Sequence, residues 1–228
     1  MRLQDLSWMD VERYLEQDDR IILVTGATEQ HAYLSLMTDI LIPSRMAIAA
    51  AEQSGVLIAP ALNYGVSPAL AEFPGTISLS PDTFNQVLVE VVQSLAYQGF
   101  RSFLVLNGHA GNQPPPALLE MARGDEIVLD WLDWWTTDAA RAVEAHSGLK
   151  IGHANWGENF PFARVGDVPQ GDKEPVNLDL AEERVPMRTI LGDGSFGGPY
   201  QVDDALMDVL FTTVVTEIVA RLAALRGA

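Results

Sequence analysis

Four short apolar runs set what this chain can fold into: Ile21-Ile22-Leu23-Val24, Val56-Leu57-Ile58-Ala59, Phe103-Leu104-Val105-Leu106 and Ile127-Val128-Leu129. Continuous apolar runs of this length, bounded by Gly, Pro, Asp or Asn, read as strands buried on both faces. Helix-like segments lie between them. Ser7 can cap a first helix with Trp8, Val11 and Tyr14 on one stripe and Asp10 and Glu12 in its first turn. An alanine-rich helix is expected over residues 44–54, stopped by Gly55. Ser80 and Pro81 start another, through Val87, Leu88, Val91 and Leu95 to Gly99. Further helices are expected over residues 117–122, 138–146 and 203–225, the last with Leu206, Val209, Leu210, Val214 and Ile218 on its apolar face. Strands alternating with helices imply right-handed βαβ units and a mostly parallel sheet covered on both faces.

No linker or repeat interrupts residues 1–228, so a single domain is expected. Residues 163–200 are rich in Gly, Pro and Asp and read as loop, with extended pieces from an inserted hairpin. With 31 acidic against 14 basic residues, the net charge of −17 argues against a phosphate-binding surface and hence against nucleic acid. The N-terminal residues lack the apolar core of a signal peptide, and no apolar run is long enough to span a membrane. A cytoplasmic protein is therefore expected. There is no cysteine, so any metal must be held by histidines and carboxylates.

Those residues gather at the ends of the expected strands. The first run leads into a loop carrying Glu29, His31 and, eight residues beyond, Asp39. An i, i+2 pair on extended chain can aim both side chains into one cavity, and Glu, His and Asp are the ligands that zinc, manganese or iron use. The third run ends on Asn107-Gly108-His109-Ala110-Gly111-Asn112, whose glycines permit a sharp turn that exposes the imidazole and backbone amides. His153 and Glu158 follow on a separate loop. One isolated histidine is more often a packed structural residue than a ligand. Of the four in this chain, however, His31, His109 and His153 all sit in glycine-containing loops beside carboxylates, and only His146 has a helical setting. Since open α/β sheets bind ligands outside the carboxyl ends of their strands, these loops would share one edge. The residues alone point to a metal hydrolase.

The set Glu29-Gln30-His31 with Thr38-Asp39, Phe73-Pro74-Gly75-Thr76, the loop 107–112 and His153 through Glu158 resembles the creatininase (creatinine amidohydrolase) family over roughly residues 20 to 160. A Gly192-Asp193-Gly194-Ser195 loop extends the likeness. The resemblance implies a three-layer α/β/α sandwich and two divalent metal ions per subunit (Zn, Mn or Fe). By it, Glu29, Asp39 and His109 hold one ion and His31 and Asp39 the other. Glu158 completes the second ion's shell or acts as a catalytic carboxylate. It also implies a homo-oligomer, commonly a hexamer, that cleaves C–N amide bonds in small cyclic or formylated substrates.

The chain departs from the family pattern around the pocket. Tyr33-Leu34 stands where Gly-Pro-His is common, Leu70 where many members have His, and Gly111 where creatinine-cleaving members use a Glu as second-metal ligand. The expected chemistry is attack by a metal-activated water on a small-molecule amide, with His153 or Glu158 giving a proton to the leaving nitrogen. Asn107 and the Gly108 loop amides would steady the oxyanion, while Trp156 and Tyr33 would shape the pocket. The alternatives are creatinine amidohydrolase proper, a peptide-trimming member, or a non-enzymatic metal-binding assembly protein.

Overall fold

The computed structural model describes residues 1–181 and 184–225. Strand β1 (Arg20–Thr25) is buried at every position because it has neighbours on both sides. β2 (Leu57–Ile58) pairs with it on one side and β3 (Ser102–Asn107) on the other, both parallel. β4 (Val128–Asp133) adds outside β3, giving a parallel sheet of order β2-β1-β3-β4.

Because strand side chains alternate, one face presents Ile22, Val24, Leu104, Leu106 and Leu132, and the other Ile21, Leu23, Phe103 and Val105. The first face is covered by α2 (Thr38–Ser54), α5 (Asp138–Ser147) and α7 (Asp204–Leu225). The second packs against α1 (Trp8–Leu15), α3 (Pro81–Gln98) and α4 (Pro116–Arg123). This is the three-layer α/β/α arrangement, and each large aliphatic side chain taken fully out of water contributes roughly 1.5–3 kcal/mol to it.

The caps are local and legible. The Asp10 carboxylate accepts the Ser7 backbone N–H at 2.8 Å, and the Ser80 hydroxyl accepts the Thr83 N–H at 3.2 Å before Pro81 opens α3.

Two boundaries and two buried faces differ from the sequence reading. α2 starts at Thr38 instead of residue 44 and runs through Pro43, which places Asp39 on a helix, not in a loop. β4 extends to Asp133, so Trp131 lies within the strand, and only Trp134 and Trp135 follow it. On α7 the buried stripe is Met207, Leu210, Val214, Ile218 and Leu222, whereas Val209 is 51% exposed. Two residues on from Met207 is about 200° around a helix, which turns Val209 away from the sheet. On α1, Val11 and Tyr14 pack inward but Trp8 is exposed.

Residues 163–200 contain the expected hairpin pieces, β5 (Asp172–Lys173) antiparallel to β6 (Gly198–Pro199), together with a short helix, α6 (Met187–Leu191). Leu191 packs with Leu70 and Phe73 in a small separate cluster. No helix among the described residues is long and apolar enough to cross a membrane.

Candidate metal centre

The pairing of β1 with β3 sets Thr25 beside Asn107, so the loops leaving the two strands begin side by side at the carboxyl edge. Glu29 and His31 come from the first loop and His109 from the second. Asp39 arrives from the first turn of α2, where the helix dipole favours a carboxylate. Pro43 has no N–H to return to the Asp39 carbonyl, and that carbonyl lies against the two strand-end glycines. A Cβ on Gly26 would come within 2.3 Å of it, and one on Gly108 within 2.0 Å. Both glycines are therefore needed for the helix to approach. The third contribution is the loop after α5. There a 3-10 turn (Trp156–Glu158) is capped by Asn155, which accepts the Gly157 N–H at 2.9 Å. Glu158 Oε2 accepts the Ala154 N–H at 2.6 Å.

Three sets of ligand atoms converge: Glu29, Asp39 and His109; His31, Asp39 and Glu158; and Glu29, His31 and His153. Asp39 Oδ1 is 2.9 Å from His31 Nε2, and its Oδ2 is 3.0 Å from His109 Nδ1. Glu158 Oε2 is 3.7 Å from His31 Nε2, and Glu29 Oε1 is 3.4 Å from His109 Nδ1 and 3.6 Å from His153 Nδ1. Glu29, His31, Asp39, His109 and Glu158 are all buried.

Two imidazoles are oriented from behind. His31 Nδ1 faces the Glu29 backbone carbonyl at 3.1 Å, and His109 Nε2 faces that of Val66 at 2.9 Å. A carbonyl can only accept, so each ring keeps a hydrogen on that nitrogen and turns the other nitrogen toward the carboxylates. That inner nitrogen must hold either a proton or a cation.

Electrostatics favour positive charge there. Burial pulls the His31 imidazole down, but the Asp39, Glu158 and Glu29 carboxylates outweigh it and raise it to about 10. Burial likewise opposes charge on His109, and Asp39 and Glu29 lift it to about 11. Burial pushes the Asp39 carboxyl upward, but His31 and His109 hold it below the usual carboxylate range. Glu158 goes the other way: burial carries it up to about 7 despite His31. The donor set suits a divalent cation, being buried and all nitrogen and oxygen. Glu29 Oε2 has no hydrogen-bond partner among the described residues, and His31 Nε2 and Asp39 Oδ2 make ion-pair contacts at 2.9 and 3.0 Å without hydrogen-bond alignment.

A cavity of about 290 Å³ opens onto this cluster. Glu29, Asp39, His109, His153 and Glu158 form its floor, and Val66, Pro68, Leu70, Trp135, Ile151 and Phe196 its apolar wall. Among the described residues no Lys or Arg lines it.

Of the expected pocket residues, only Gly108 reaches the cavity. Asn107 is consumed in holding the loop: its Nδ2 donates to the His109 carbonyl at 2.7 Å and to Asp133 at 2.8 Å, while its Oδ1 accepts from Thr25 and from the His109 N–H. The Gly108 N–H is spent on the Thr25 carbonyl at 2.8 Å. Neither is free to steady an oxyanion. Trp156 is fully buried in the core and donates its indole N–H to the Lys150 carbonyl at 2.9 Å. Tyr33 packs edge-on against Tyr200 outside the cavity. Ile151 and Phe196 escaped the sequence reading because scattered apolar residues carry no motif. At Gly111 a Cβ would meet the Val66 carbonyl at 2.1 Å and His109 Nε2 at 2.5 Å, so this backbone has no room for a carboxylate ligand there.

A family model described as Creatininase: Creatinine amidohydrolase matches residues 4–222. Creatinine amidohydrolase of Pseudomonas putida is 31% identical over 115 residues, covering 47% of this chain and 44% of that protein. A mycofactocin precursor peptide peptidase of Mycolicibacterium smegmatis is 32% identical over 136 residues, covering 56% of this chain and 53% of that protein. The chain thus spans about half the length of the curated relatives it matches. A solved structure described as creatininase Mn superposes with a TM-score of 0.79 over 100% of this chain and 99% of the other, at 22% identity.

Proposed function

The chain belongs to the creatininase family, and from that premise we propose that it is a metal-dependent amidohydrolase cleaving a C–N amide bond in a small, neutral substrate with an apolar body. The observation that carries this reading is the buried set Glu29, His31, Asp39, His109 and Glu158, with orphaned ligand atoms facing a cavity. In this reading Glu29, Asp39 and His109 hold one divalent ion, His31, Asp39 and Glu158 hold a second, and Asp39 serves both. Such ions, when bound, supply Lewis acidity that polarises an amide carbonyl and makes hydroxide available near neutral pH. The chain's own residues do the rest. His153 turns a ring nitrogen into the cavity to meet charge developing on the substrate. In the metal-free protein burial raises Glu158 to about 7, so it would have to give up that proton to hold the second ion. The apolar wall, with no Lys or Arg among the described residues, supports an uncharged substrate body. Family membership supports a homo-oligomeric, hexameric enzyme, and the sequence reading a cytoplasmic one.

The test is turnover on an amide panel: neutral lactams and N-formyl compounds, creatinine, a short peptide and a polyhydroxylated amide. Stripped protein reloaded with Mn²⁺ or Zn²⁺ should cleave a neutral apolar member, and stripped protein should cleave none. Fully loaded protein inert on every member would overturn the reading.

Metal uptake should also be proton-linked. His31 and His109 hold protons up to about pH 10 and 11, and a cation must displace the proton on the inward nitrogen of each. Below those values apparent affinity should therefore rise with pH, with release of about one proton per imidazole. Calorimetric titration in buffers of different ionisation enthalpy measures this, and pH-independent uptake would contradict it.

A further inference from the structure

Three imidazoles surround Glu29, but they are not backed alike. Behind His31 and His109 stand backbone carbonyls. Behind His153 stands the side chain of Gln30, whose Nε2 is 2.8 Å from His153 Nε2. The rest of the network settles which end of the Gln30 amide this is. Its Oε1 accepts the Ala32 N–H at 3.1 Å, and its Nε2 donates to the Gly194 carbonyl at 3.0 Å. Rotating the amide by 180° would set oxygen against that carbonyl and an NH₂ group against the Ala32 N–H, so the orientation follows from its partners. One amide hydrogen goes to Gly194, and the other is aimed at His153 Nε2.

We propose that Gln30 is a positioning residue that holds His153 in its Nδ1–H tautomer, converting a potential third metal-binding imidazole into a hydrogen-bond donor facing the cavity. An imidazole nitrogen that accepts from an amide cannot itself bear hydrogen, so the ring hydrogen sits on Nδ1, 3.6 Å from Glu29 Oε1. Geometry alone would allow Glu29, His31 and His153 to ligate together. Gln30 prevents it by removing the inward lone pair.

The surroundings are built around this amide. Gly194 has a left-handed φ of +106°, and a Cβ there would fall 1.8 Å from Gln30 Oε1. Its loop is pinned by Lys173, which donates to the Leu191 and Ser195 carbonyls at 2.6 and 2.7 Å and pairs with Asp193. Asp193 also accepts the Tyr200 hydroxyl at 2.6 Å. The same loop holds His153 from the other side, since the Phe196 N–H donates to the His153 carbonyl at 3.1 Å.

The inference rests on the amidohydrolase reading for its purpose, though not for its test. Long-range ¹H–¹⁵N correlation resolves imidazole tautomers, and the chain has only four histidines to assign. In zinc-loaded wild-type protein, His153 should show hydrogen on Nδ1. In Gln30→Glu, where a carboxylate can only accept, the hydrogen should move to Nε2. The cobalt-loaded variant should then show an additional imidazole ligand in its visible spectrum. Gln30→Met, of similar length but without a donor, should give a mixture of tautomers. In both variants kcat should fall on the order of 10–100-fold with little change in KM, the usual effect of losing a partner that orients a site group. Hydrogen on Nε2 of wild-type His153 would overturn the proposal, and so would an unchanged tautomer in Gln30→Glu. The expected tautomers in a protein that cleaves no amide would sustain it while refuting the proposed function.

Discussion

Asp39→Ala is expected to abolish binding of both ions and, with it, all metal-dependent turnover. The Asp39 carboxylate is the one side chain common to the Glu29/Asp39/His109 and His31/Asp39/Glu158 groups, with one oxygen 2.9 Å from His31 and the other 3.0 Å from His109. Removing it leaves two ligands on each side where there were three. Residues one shell further out usually cost 10–100-fold in affinity or activity, so loss of a shared ligand should cost at least about 100-fold. The metal-free protein should suffer as well. His31 and His109 owe their raised protonation largely to this carboxylate, and breaking a buried pair by removing one partner typically costs about 3–5 kcal/mol. Asp39→Asn isolates the loss of charge from the loss of volume, because it keeps the shape and removes only the carboxylate, and it should lose both ions as well. Elemental analysis and a thermal melt on the same preparations provide the measurement. Asp39→Asn retaining two equivalents of tightly bound metal would show that Asp39 bridges nothing.

The layered fold was readable because its causes are local. Apolar runs bounded by turn residues gave β1, β2 and β3, and Ser80-Pro81 with Gly99 bracketed α3. The ligand-bearing loops were readable too, since Glu29, His31 and His109 sit within a few residues of strand ends. What stayed hidden depended on long-range packing. The alanine-rich stretch marks only the part of α2 after Pro43, a residue that ordinarily disrupts a helix interior. In the fold, its missing N–H matters little, because the Asp39 carbonyl it would have served is wedged against Gly26 and Gly108. Asn107 has the chemistry of an oxyanion donor, and only its partners Thr25, His109 and Asp133 reveal that it is fully used. Trp156 stands between His153 and Glu158 in sequence, yet a 3-10 turn sends it into the core while Glu158 goes to the site. Gln30 is the middle residue of the Glu29-Gln30-His31 motif, but its role needs Gly194, which lies 164 residues away.

With Asn107 and Gly108 committed elsewhere, the proposed function puts developing substrate charge on His153, and His153→Ala should keep its metal while losing turnover. The ring lines the cavity, and its outer nitrogen is taken by Gln30. Burial, with the charge on His31 adding to it, holds the imidazole well below its ordinary range, so it acts as a neutral donor and not as an imidazolium. Removing one such donor to a developing oxyanion costs on the order of 10²–10³-fold in kcat. The competing explanation is packing. The His153 ring lies 4.4 Å from that of His31 and 4.8 Å from that of Phe196, so truncation leaves space that destabilises the loop. His153→Phe refills much of that space without supplying a donor. If the donor matters, both variants lose kcat while metal content stays near wild type, and only the alanine variant melts lower. If packing is all that His153 provides, the phenylalanine variant recovers activity along with stability. Normal kcat in a fully loaded His153→Phe protein would show that turnover does not depend on a donor at this position.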